Sequence, residues 1–358
     1  MSGTGPCRVE ERVLRRWTRA VVMENDLVRI QVLVDKGADI YELRYKPSDL
    51  DVLWKAPWGA KELGSLGASA ANSQVAWMDH YWGGWQEIFP SGGGPCVYKG
   101  VELGFHGEVS TAPWDYEVLE AADRAVTVRF ATATTRTPFR VERVMRLEAG
   151  QPSVLLQERV TNEGAEEMAF MWGHHPAYGA PFLSGACVLD IPKARFVADA
   201  QTYPDRSWLP DSGAWDWPVV VGRDGRRVDL SRVPGPEARV NNFGYVVDLE
   251  EGWYGLTNTD LGLGVGLVWP KEVFPHLWFW QELNSSLGYP WYGRAYVMGL
   301  EPWTSYPAGG VTSAIEAGTA RTLPPGGSLE AWLRVVFYES RRGVRRIAPD
   351  GSVELRQE

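Results

Sequence analysis

The feature that most constrains the fold is a succession of short alternating strands in the first half of the chain. Residues 114–119, 125–134, 139–148 and 154–161 are rich in Val, Thr, Phe and Arg, and apolar and polar residues alternate along each run. This period of two is typical of a strand with one buried face. Short turns containing Ala-Ala-Asp, Arg-Thr-Pro and Ala-Gly-Gln-Pro separate the runs, so they predict an antiparallel meander.

Similar patterns continue along the rest of the chain. Further strands are predicted at 27–45, where a turn at Lys36-Gly37 indicates a hairpin, at 252–269 and at 328–339. Residues 48–72 and 201–236 are rich in Gly, Pro and small residues and predict loops, the first in a position to cover a site as a lid. Beyond the charged N-terminal residues no segment has a helical apolar period. Many short strands without interleaved helices predict an antiparallel β-sandwich.

Composition excludes several classes of function. The 358 residues, 44% of them hydrophobic, allow either two domains or one large β domain. A net charge of −9, with basic clusters only at 12–19 and 341–346, excludes a nucleic-acid partner. Cys7, Cys96 and Cys187 fit neither a disulfide framework nor zinc spacing, so we expect a reducing, cytoplasmic location. No apolar run has membrane-spanning length and no signal peptide is expected.

Tryptophan content gives a weak indication of carbohydrate. The chain has 18 tryptophans, and flat aromatic faces suit the apolar C–H faces of sugar rings. Tryptophan is also an ordinary core residue, so this observation alone leaves both interpretations open.

The histidines suggest where the chemistry lies. There are five, and each occurs among aromatic or glycine residues: His80, His106, His174, His175 and His276. Histidine exchanges protons near neutral pH. Neighbouring residues of an extended strand point to opposite faces, so only one of His174 and His175 can face a given pocket. A buried histidine paired with backbone is the alternative for each, but for the set we favour a shared pocket.

Glu301 is the candidate base. It follows the apolar run Ala-Tyr-Val-Met-Gly-Leu and precedes Pro302, so it lies at the end of a strand held extended. Apolar neighbours would raise the pKa of its carboxyl group and make it a better base. The alternative is a solvent-facing glutamate at a strand end.

Several motifs, in order along most of the chain, resemble the aldose 1-epimerase (galactose mutarotase-like) family. They are Trp85-Gln-Glu-Ile-Phe-Pro-Ser-Gly-Gly with Phe105-His-Gly-Glu, then His174-His175-Pro-Ala-Tyr, Gly299-Leu-Glu-Pro-Trp and Leu323-Pro-Pro-Gly-Gly. The resemblance implies a β-supersandwich, with one antiparallel galactose mutarotase-like domain over residues 1–358. Within it, 1–22 would be an N-terminal extension and 341–358 a C-terminal tail.

The resemblance also implies a reaction, the interconversion of α and β anomers of a free or modified hexose by acid/base ring opening. Glu301 would take the proton of the anomeric hydroxyl, His175 would protonate the ring oxygen, and His106 would hydrogen-bond nearby. Additional substrate-binding residues would be Gln86, Gln281 and Glu282 for hydroxyl groups and Trp280 and Trp303 for stacking. No metal or redox cofactor is expected. The expected partner is a small sugar, and the sequence leaves open whether the protein forms a homodimer.

The amides Asn241 and Asn242 stand where many family members have an Asp that binds a sugar hydroxyl, so the sugar is not identified. Three alternative functions also remain. The protein could bind carbohydrate without turnover. A glycoside hydrolase or lyase would need a second carboxylate, for which the candidates are Glu87, Glu108 and Glu282. A metal site would combine His106, His175 and a carboxylate, which have no local ligand spacing.

Overall fold

The structure, a computed structural model, describes residues 7–14, 18–60 and 72–357. Within these residues, strands form most of the regular structure, and the two α-helices, α1 (Ser73–Asp79) and α2 (Val311–Glu316), are short. Single turns of 3₁₀-helix occupy Lys46–Ser48, Pro204–Arg206 and Pro236–Ala238. The predicted all-β class is therefore confirmed.

The strands of the first half are β1 (Arg8–Leu14), β2 (Thr18–Glu24), β3 (Val28–Leu33), β4 (Asp39–Tyr45), β5 (Leu50–Asp51), β6 (Trp85–Ile88), β7 (Cys96–Tyr98), β8 (Val101–Leu103), β9 (Asp115–Ala122), β10 (Ala125–Ala133), β11 (Phe139–Glu148), β12 (Ser153–Asn162), β13 (Met168–Phe170) and β14 (Gly173–Gly179). Those of the second half are β15 (Cys187–Asp190), β16 (Arg195–Ala198), β17 (Gly213–Asp216), β18 (Val219–Val221), β19 (Arg227–Asp229), β20 (Val240–Val247), β21 (Trp253–Asn258), β22 (Leu263–Val268), β23 (His276–Leu283), β24 (Tyr296–Trp303), β25 (Arg321–Leu323), β26 (Ser328–Glu339), β27 (Val344–Ile347) and β28 (Val353–Leu355).

Two large antiparallel sheets dominate the described part of the chain. The larger has 12 strands, in the order β1-β2-β3-β4-β6-β14-β24-β23-β20-β16-β17 with β5 paired to β4. The smaller has eight, in the order β15-β21-β22-β26-β12-β11-β10-β9. The predicted meander occupies one half of the smaller sheet, as β9 to β12. This arrangement is the antiparallel sandwich that the sequence pattern predicts.

The main core lies between the two sheets because each presents alternate apolar residues to the other. In β11, Phe139, Val141, Met145 and Leu147 are buried, together with Arg143 on the same inward face, and the residues that alternate with them are partly exposed. A second buried cluster covers the opposite face of the larger sheet. There, residues of the loops and of both helices pack on the strands, and it includes Trp54, Trp77, Tyr81, Trp278, Trp303 and Val311. Burial of both faces of the larger sheet gives its central strands a dry environment.

The ends of the chain join this framework. The described part of residues 1–22, expected to be an extension, contributes β1 and most of β2 to the larger sheet. Residues 341–357 include the β27–β28 hairpin, which packs near Trp253 and Val268. The predicted loop at 48–72 is described only in part, because 61–71 lie outside the described residues. In the described ranges, no helix has the length and apolar character needed to cross a membrane.

Candidate active site

Four central strands of the larger sheet bring the predicted catalytic residues together. In the antiparallel register of β14 and β24, His175 lies opposite Glu301, and on the other side of β14 it is the partner of Gln86 in β6. Trp278 of β23 is the partner of Glu301. Because directly opposed residues share a face, these four side chains form one row across the sheet. The row lies beneath the loops and helices.

His175 and Glu301 are in contact. His175 Nε2 lies 3.5 Å from Glu301 Oε1, and the residues are 5% and 2% exposed. Burial raises the pKa of Glu301 to about 8, although the indole N–H of Trp303, 3.1 Å from Glu301 Oε2, favours the carboxylate. Burial also lowers the pKa of His175 to about 4. Between these values the two groups together hold one exchangeable proton, which lies on Glu301 while the ring of His175 is neutral. A proton that can pass between the two groups lets one act as base while the other acts as acid.

His106 supplies a fixed hydrogen-bond donor. It has a φ of 57°, and the backbone N–H of Gly93 donates to its Nδ1 over 3.1 Å. Since Nδ1 accepts, the neutral ring carries its proton on Nε2. Burial, and secondarily His175, holds the pKa of His106 well below its usual range, so the ring stays neutral. Its centroid lies 5.6 Å from that of His175, which places an Nε2–H donor beside the acid/base pair.

Aromatic rings surround this pair. The centroid of Tyr81 lies 5.5 Å from that of His175, edge-on, and Tyr81 stacks on Trp77 of α1 at 4.7 Å. Trp280 lies 5.8 Å from His175 on the other side and is only partly buried. Of the two predicted stacking residues, Trp280 is therefore the one with an accessible face.

Two glycines leave room for the large groups of the site. A Cβ on Gly299 would lie 2.6 Å from Glu301 Oε1, and a Cβ on Gly173 would lie 2.1 Å from the Trp303 ring. These glycines are needed for space, because real Cβ contacts are never so short. The absence of a side chain at Gly299 and Gly173 thus leaves the space that Glu301 and Trp303 occupy.

The structure does not bring every predicted binding residue to the pocket. Gln281 is paired with Met298, on the face turned to the smaller sheet, and its Oε1 accepts from Asn242 over 2.9 Å. Glu282 accepts from the backbone N–H groups of Ser285 and Ser286, at 2.8 and 2.9 Å, and also from the Ser286 hydroxyl and Asn241. The prediction that both bind substrate hydroxyls is therefore corrected: Gln281 faces away, and the carboxylate of Glu282 is already saturated.

Trp303 also differs from its predicted role. It is fully buried and lies flat on Trp278, with ring centroids 4.0 Å apart and an interplanar angle of 15°. No face is left for a sugar, so the stacking role is replaced by a positioning role through its hydrogen bond to Glu301.

The five histidines do not share one pocket. His106 and His175 are neighbours, with ring centroids 5.6 Å apart. His174 points to the smaller sheet, as strand alternation predicts for the residue next to His175. His80 ends α1, and its Nδ1 is 2.8 Å from the Ala76 carbonyl. His276 packs edge-on against Tyr306, with centroids 4.7 Å apart.

A buried polar network lies behind the site, between the sheets. The indole N–H of Trp85 donates to His174 Nδ1 over 3.2 Å, so His174 donates through Nε2 to Glu158 Oε2, 2.9 Å away. The guanidinium of Arg143 lies 3.6 Å from Glu87. Burial raises the pKa of Glu158 to about 8 and that of Glu87 to about 7, and lowers that of His174 to about 4. The network therefore carries less charge than its residue types suggest.

No candidate for a second catalytic carboxylate reaches the pocket free. Glu87 belongs to the network between the sheets, and Glu282 is saturated. Glu108 accepts from the backbone of Thr135 and Arg136 at 2.8 Å. In the described part of the chain, no three His, Cys, Asp or Glu side chains are grouped as a metal ion would require.

Sequence reasoning missed Tyr81 and Trp77. Both lie in the aromatic stretch around His80, in which only the histidine was considered as a candidate functional residue. The signal that could have found Tyr81 is its place between His80 and the Trp82-Gly-Gly turn, which leads directly into β6 and Gln86.

Comparisons with known proteins agree on the fold. A protein from Klebsiella pneumoniae, named provisionally as an aldose 1-epimerase, superposes with a TM-score of 0.71 at 16% identity, covering 93% of this chain and 84% of that one. A galactose mutarotase-like protein from Clostridium acetobutylicum gives 0.66 at 13% identity, covering 93% and 99%. A galactose mutarotase-like protein from Lactobacillus casei gives 0.61 at 16%, covering 89% and 100%. The galactose mutarotase-like β-sandwich is therefore confirmed as the fold.

A comparison with curated proteins finds no match. The model of a family described as a domain of unknown function, DUF4432, matches residues 16–208. Because this match covers more than half of the 358 residues, the chain belongs to the DUF4432 family.

Proposed function

We propose that this protein is an aldose 1-epimerase-like isomerase that interconverts the anomers of a free or modified hexose. The observation that carries the proposal is the buried contact of 3.5 Å between His175 Nε2 and Glu301 Oε1. Ring opening needs a base and an acid within hydrogen-bonding reach of one sugar, and this pair meets that need. The fold of the related structures supports the same reaction.

The reaction is balanced within the pair. Before a sugar binds, the pKa values put the shared proton on Glu301, so the reaction begins when that proton passes to His175, 3.5 Å away. Glu301, now a carboxylate, takes the proton of the anomeric hydroxyl while protonated His175 gives its proton to the ring oxygen. The bond from C1 to the ring oxygen breaks, and its electron pair stays on that oxygen as the C1 carbonyl forms. Rotation about the C1–C2 bond and the reverse transfers close the ring as the other anomer. The pair is restored when the two protons return.

Three neighbours support these steps. The neutral ring of His106 carries its proton on Nε2 and lies beside His175, with ring centroids 5.6 Å apart, as a donor for the ring oxygen or a hydroxyl group. Trp303 holds the Glu301 carboxylate through its indole N–H. Trp280 offers an aromatic face beside His175 for the apolar side of the sugar.

The decisive experiment follows optical rotation of freshly dissolved α-D-glucose, α-D-galactose and D-mannose with and without the protein. We expect faster approach to equilibrium with at least one sugar, and a loss of about 10²- to 10⁴-fold in kcat for Glu301→Gln. Glu316→Gln, at an exposed position of α2, is the matched control and should keep the parent rate. Equal rates for Glu301→Gln and the parent would remove Glu301 from the mechanism. Binding without turnover by the parent would favour the non-catalytic alternative.

A further inference from the structure

A second group of buried polar residues lies next to the acid/base pair, on the β6 side. It consists of Lys36 of the β3–β4 turn, Asp39 at the start of β4, Gln86 of β6, and Tyr81. None of the four is more than 1% exposed. Polar groups this deeply buried are normally fully hydrogen-bonded, because an unpaired one costs folding free energy.

This group is only partly satisfied. The ammonium group of Lys36 forms an ion pair with Asp39 Oδ2, and the amide of Gln86 donates to Asp39 Oδ2 over 2.9 Å and to the Gly83 carbonyl over 2.8 Å. Within the described part of the chain, three oxygen atoms then have no hydrogen-bond partner: Asp39 Oδ1, Gln86 Oε1 and the Tyr81 hydroxyl. Three unpaired oxygens close together indicate a place where another molecule completes the bonding.

The unpaired oxygens lie beside the catalytic pair. Gln86 is the strand partner of His175 and therefore has its side chain on the pocket face of the sheet. The Tyr81 ring meets His175 edge-on at 5.5 Å. Burial raises the pKa of the Tyr81 hydroxyl well above its usual range, and the nearby carboxylates of Glu301 and Asp39 raise it further. The hydroxyl therefore stays protonated.

The chemistry of this group favours an uncharged ligand. Lys36 already neutralises Asp39. The atoms without a partner are two acceptor oxygens and one hydroxyl that can both donate and accept. A sugar hydroxyl can donate to one of the acceptors and accept from Tyr81, whereas a phosphate or carboxylate would meet the oxygens of Asp39 and Gln86 without donors of its own.

We propose that Tyr81, Gln86 and Asp39 form a subsite for a hydroxyl group on the C4 to C6 side of an uncharged hexose. The assignment rests on the proposed function, which puts the anomeric hydroxyl at Glu301 and the ring oxygen at His175. Gln86 lies one further strand along the same row, and neighbouring strands are about 4.8 Å apart. Beyond the ring oxygen the sugar continues to C5, which carries C6 and adjoins C4.

The test compares Tyr81→Phe with the parent on the best hexose of the panel and on its 2-deoxy, 4-deoxy and 6-deoxy derivatives. For the parent, removal of the hydroxyl held by the subsite should lower kcat/KM by about 10-fold or more. Tyr81→Phe should lose a similar factor on the full sugar and no longer distinguish it from that deoxy derivative. The 2-deoxy sugar, altered on the Glu301 side, should respond to the mutation as the full sugar does.

Two controls keep the result interpretable. Tyr292→Phe removes a hydroxyl from a side chain that is 57% exposed and should change nothing. The Tyr81 hydroxyl has no hydrogen-bond partner among the described residues, so Tyr81→Phe should have a Tm equal to or above that of the parent without sugar. A lower Tm would indicate a structural role instead and overturn the subsite.

Failure of the inference differs from failure of the proposed function. Parent protein that accelerates mutarotation, together with a Tyr81→Phe variant that keeps the parent's discrimination at every position, overturns the subsite alone. Parent protein that binds hexoses in NMR titrations without turnover overturns the isomerase proposal, and the same deoxy comparison then uses dissociation constants. Absence of both binding and turnover across the panel overturns both.

Discussion

The contact between His175 and Glu301 makes activity depend on how many protons the two groups hold. Burial places their pKa values at about 4 and about 8. Below the lower value both groups are protonated and no base remains, and above the higher value neither holds a proton and no acid remains. We expect kcat/KM to follow a bell-shaped pH profile with limbs near these values, measured by optical rotation in buffers of equal ionic strength. A rate that keeps rising above about pH 10 would contradict the shared proton.

Trp303 tunes this profile. Its indole N–H bond favours the Glu301 carboxylate and lowers the pKa of that group. Trp303→Phe removes the donor, so the pKa of Glu301 should rise and the alkaline limb should move up by roughly one pH unit. Trp208→Phe, at a position 40% exposed, should leave the limb in place. A limb unchanged in Trp303→Phe would show that the indole only fills space.

At the scale of strands, the packing of β14 against β24 requires glycine at position 173, because the Trp303 ring fills the space beside it. Gly173→Ala would put a Cβ 2.1 Å from the Trp303 ring, where Trp278 stacks on the other side and prevents an easy shift. We expect a loss of about 1–3 kcal/mol in the free energy of unfolding, with a fall in kcat as Glu301 loses its position. Gly94→Ala, whose Cβ would have no neighbour closer than 3.8 Å, is the matched control.

Urea unfolding monitored by tryptophan fluorescence gives the free energies, and mutarotation gives kcat. If Gly173→Ala matched Gly94→Ala in both, the β14–β24 pairing would be more tolerant than its packing indicates.

Strand alternation explains which parts of the site could be predicted. It places β9 to β12 and separates His174 from His175 correctly, since a period of two is a local property of the chain. The same rule, applied to Trp280 and Gln281, predicts that both cannot face one pocket. Glu282 lies on the same face as Trp280, but its carboxylate accepts a hydrogen bond from the backbone of the tight turn at Ser285. The residue type alone does not predict that bond.

Other parts of the site depend on contacts between distant segments. Tyr81 meets His175 only because the end of α1 lies over β14, and Asp39 reaches Gln86 only through the pairing of β4 with β6. The order of strands in the larger sheet is set by packing of the whole domain. A single sequence contains no local pattern for it, so the partners of Glu301 could be proposed from the resemblance but their distances could not.

For the molecule as a whole, the polar network between the sheets should make stability fall in alkaline solution. A carboxyl group whose pKa is higher in the folded than in the unfolded chain stabilises the fold below its unfolded pKa, and this contribution is lost as pH rises through the folded value. Glu87 and Glu158 of this network have raised pKa values, of about 7 and 8, and so has Glu301 on the opposite face of the larger sheet, at about 8. A histidine whose pKa is lowered by folding, such as His174, changes the stability of the fold only below about pH 6.5. Above that pH the carboxyl groups dominate.

Glu158→Gln tests this directly. The amide keeps an acceptor for His174 Nε2–H but cannot ionise, so the decline in the free energy of unfolding between pH 6.5 and about 9 should shrink by at least about 1 kcal/mol. Denaturation with urea at a series of pH values measures the slope. Glu330→Gln, on an exposed position of β26, should keep the parent slope. An unchanged slope in Glu158→Gln would mean that Glu158 is ionised in the folded protein.

His174 and His175 are consecutive, yet one serves the network between the sheets and the other the sugar pocket. A slip of β14 by a single residue would move one imidazole into the place of the other and put Gly173 or Pro176 in the place left behind. Either the network between the sheets or Glu301 would then lose its histidine partner. Correct alignment of this one strand is therefore a condition both for the stability of the core and for the proposed chemistry.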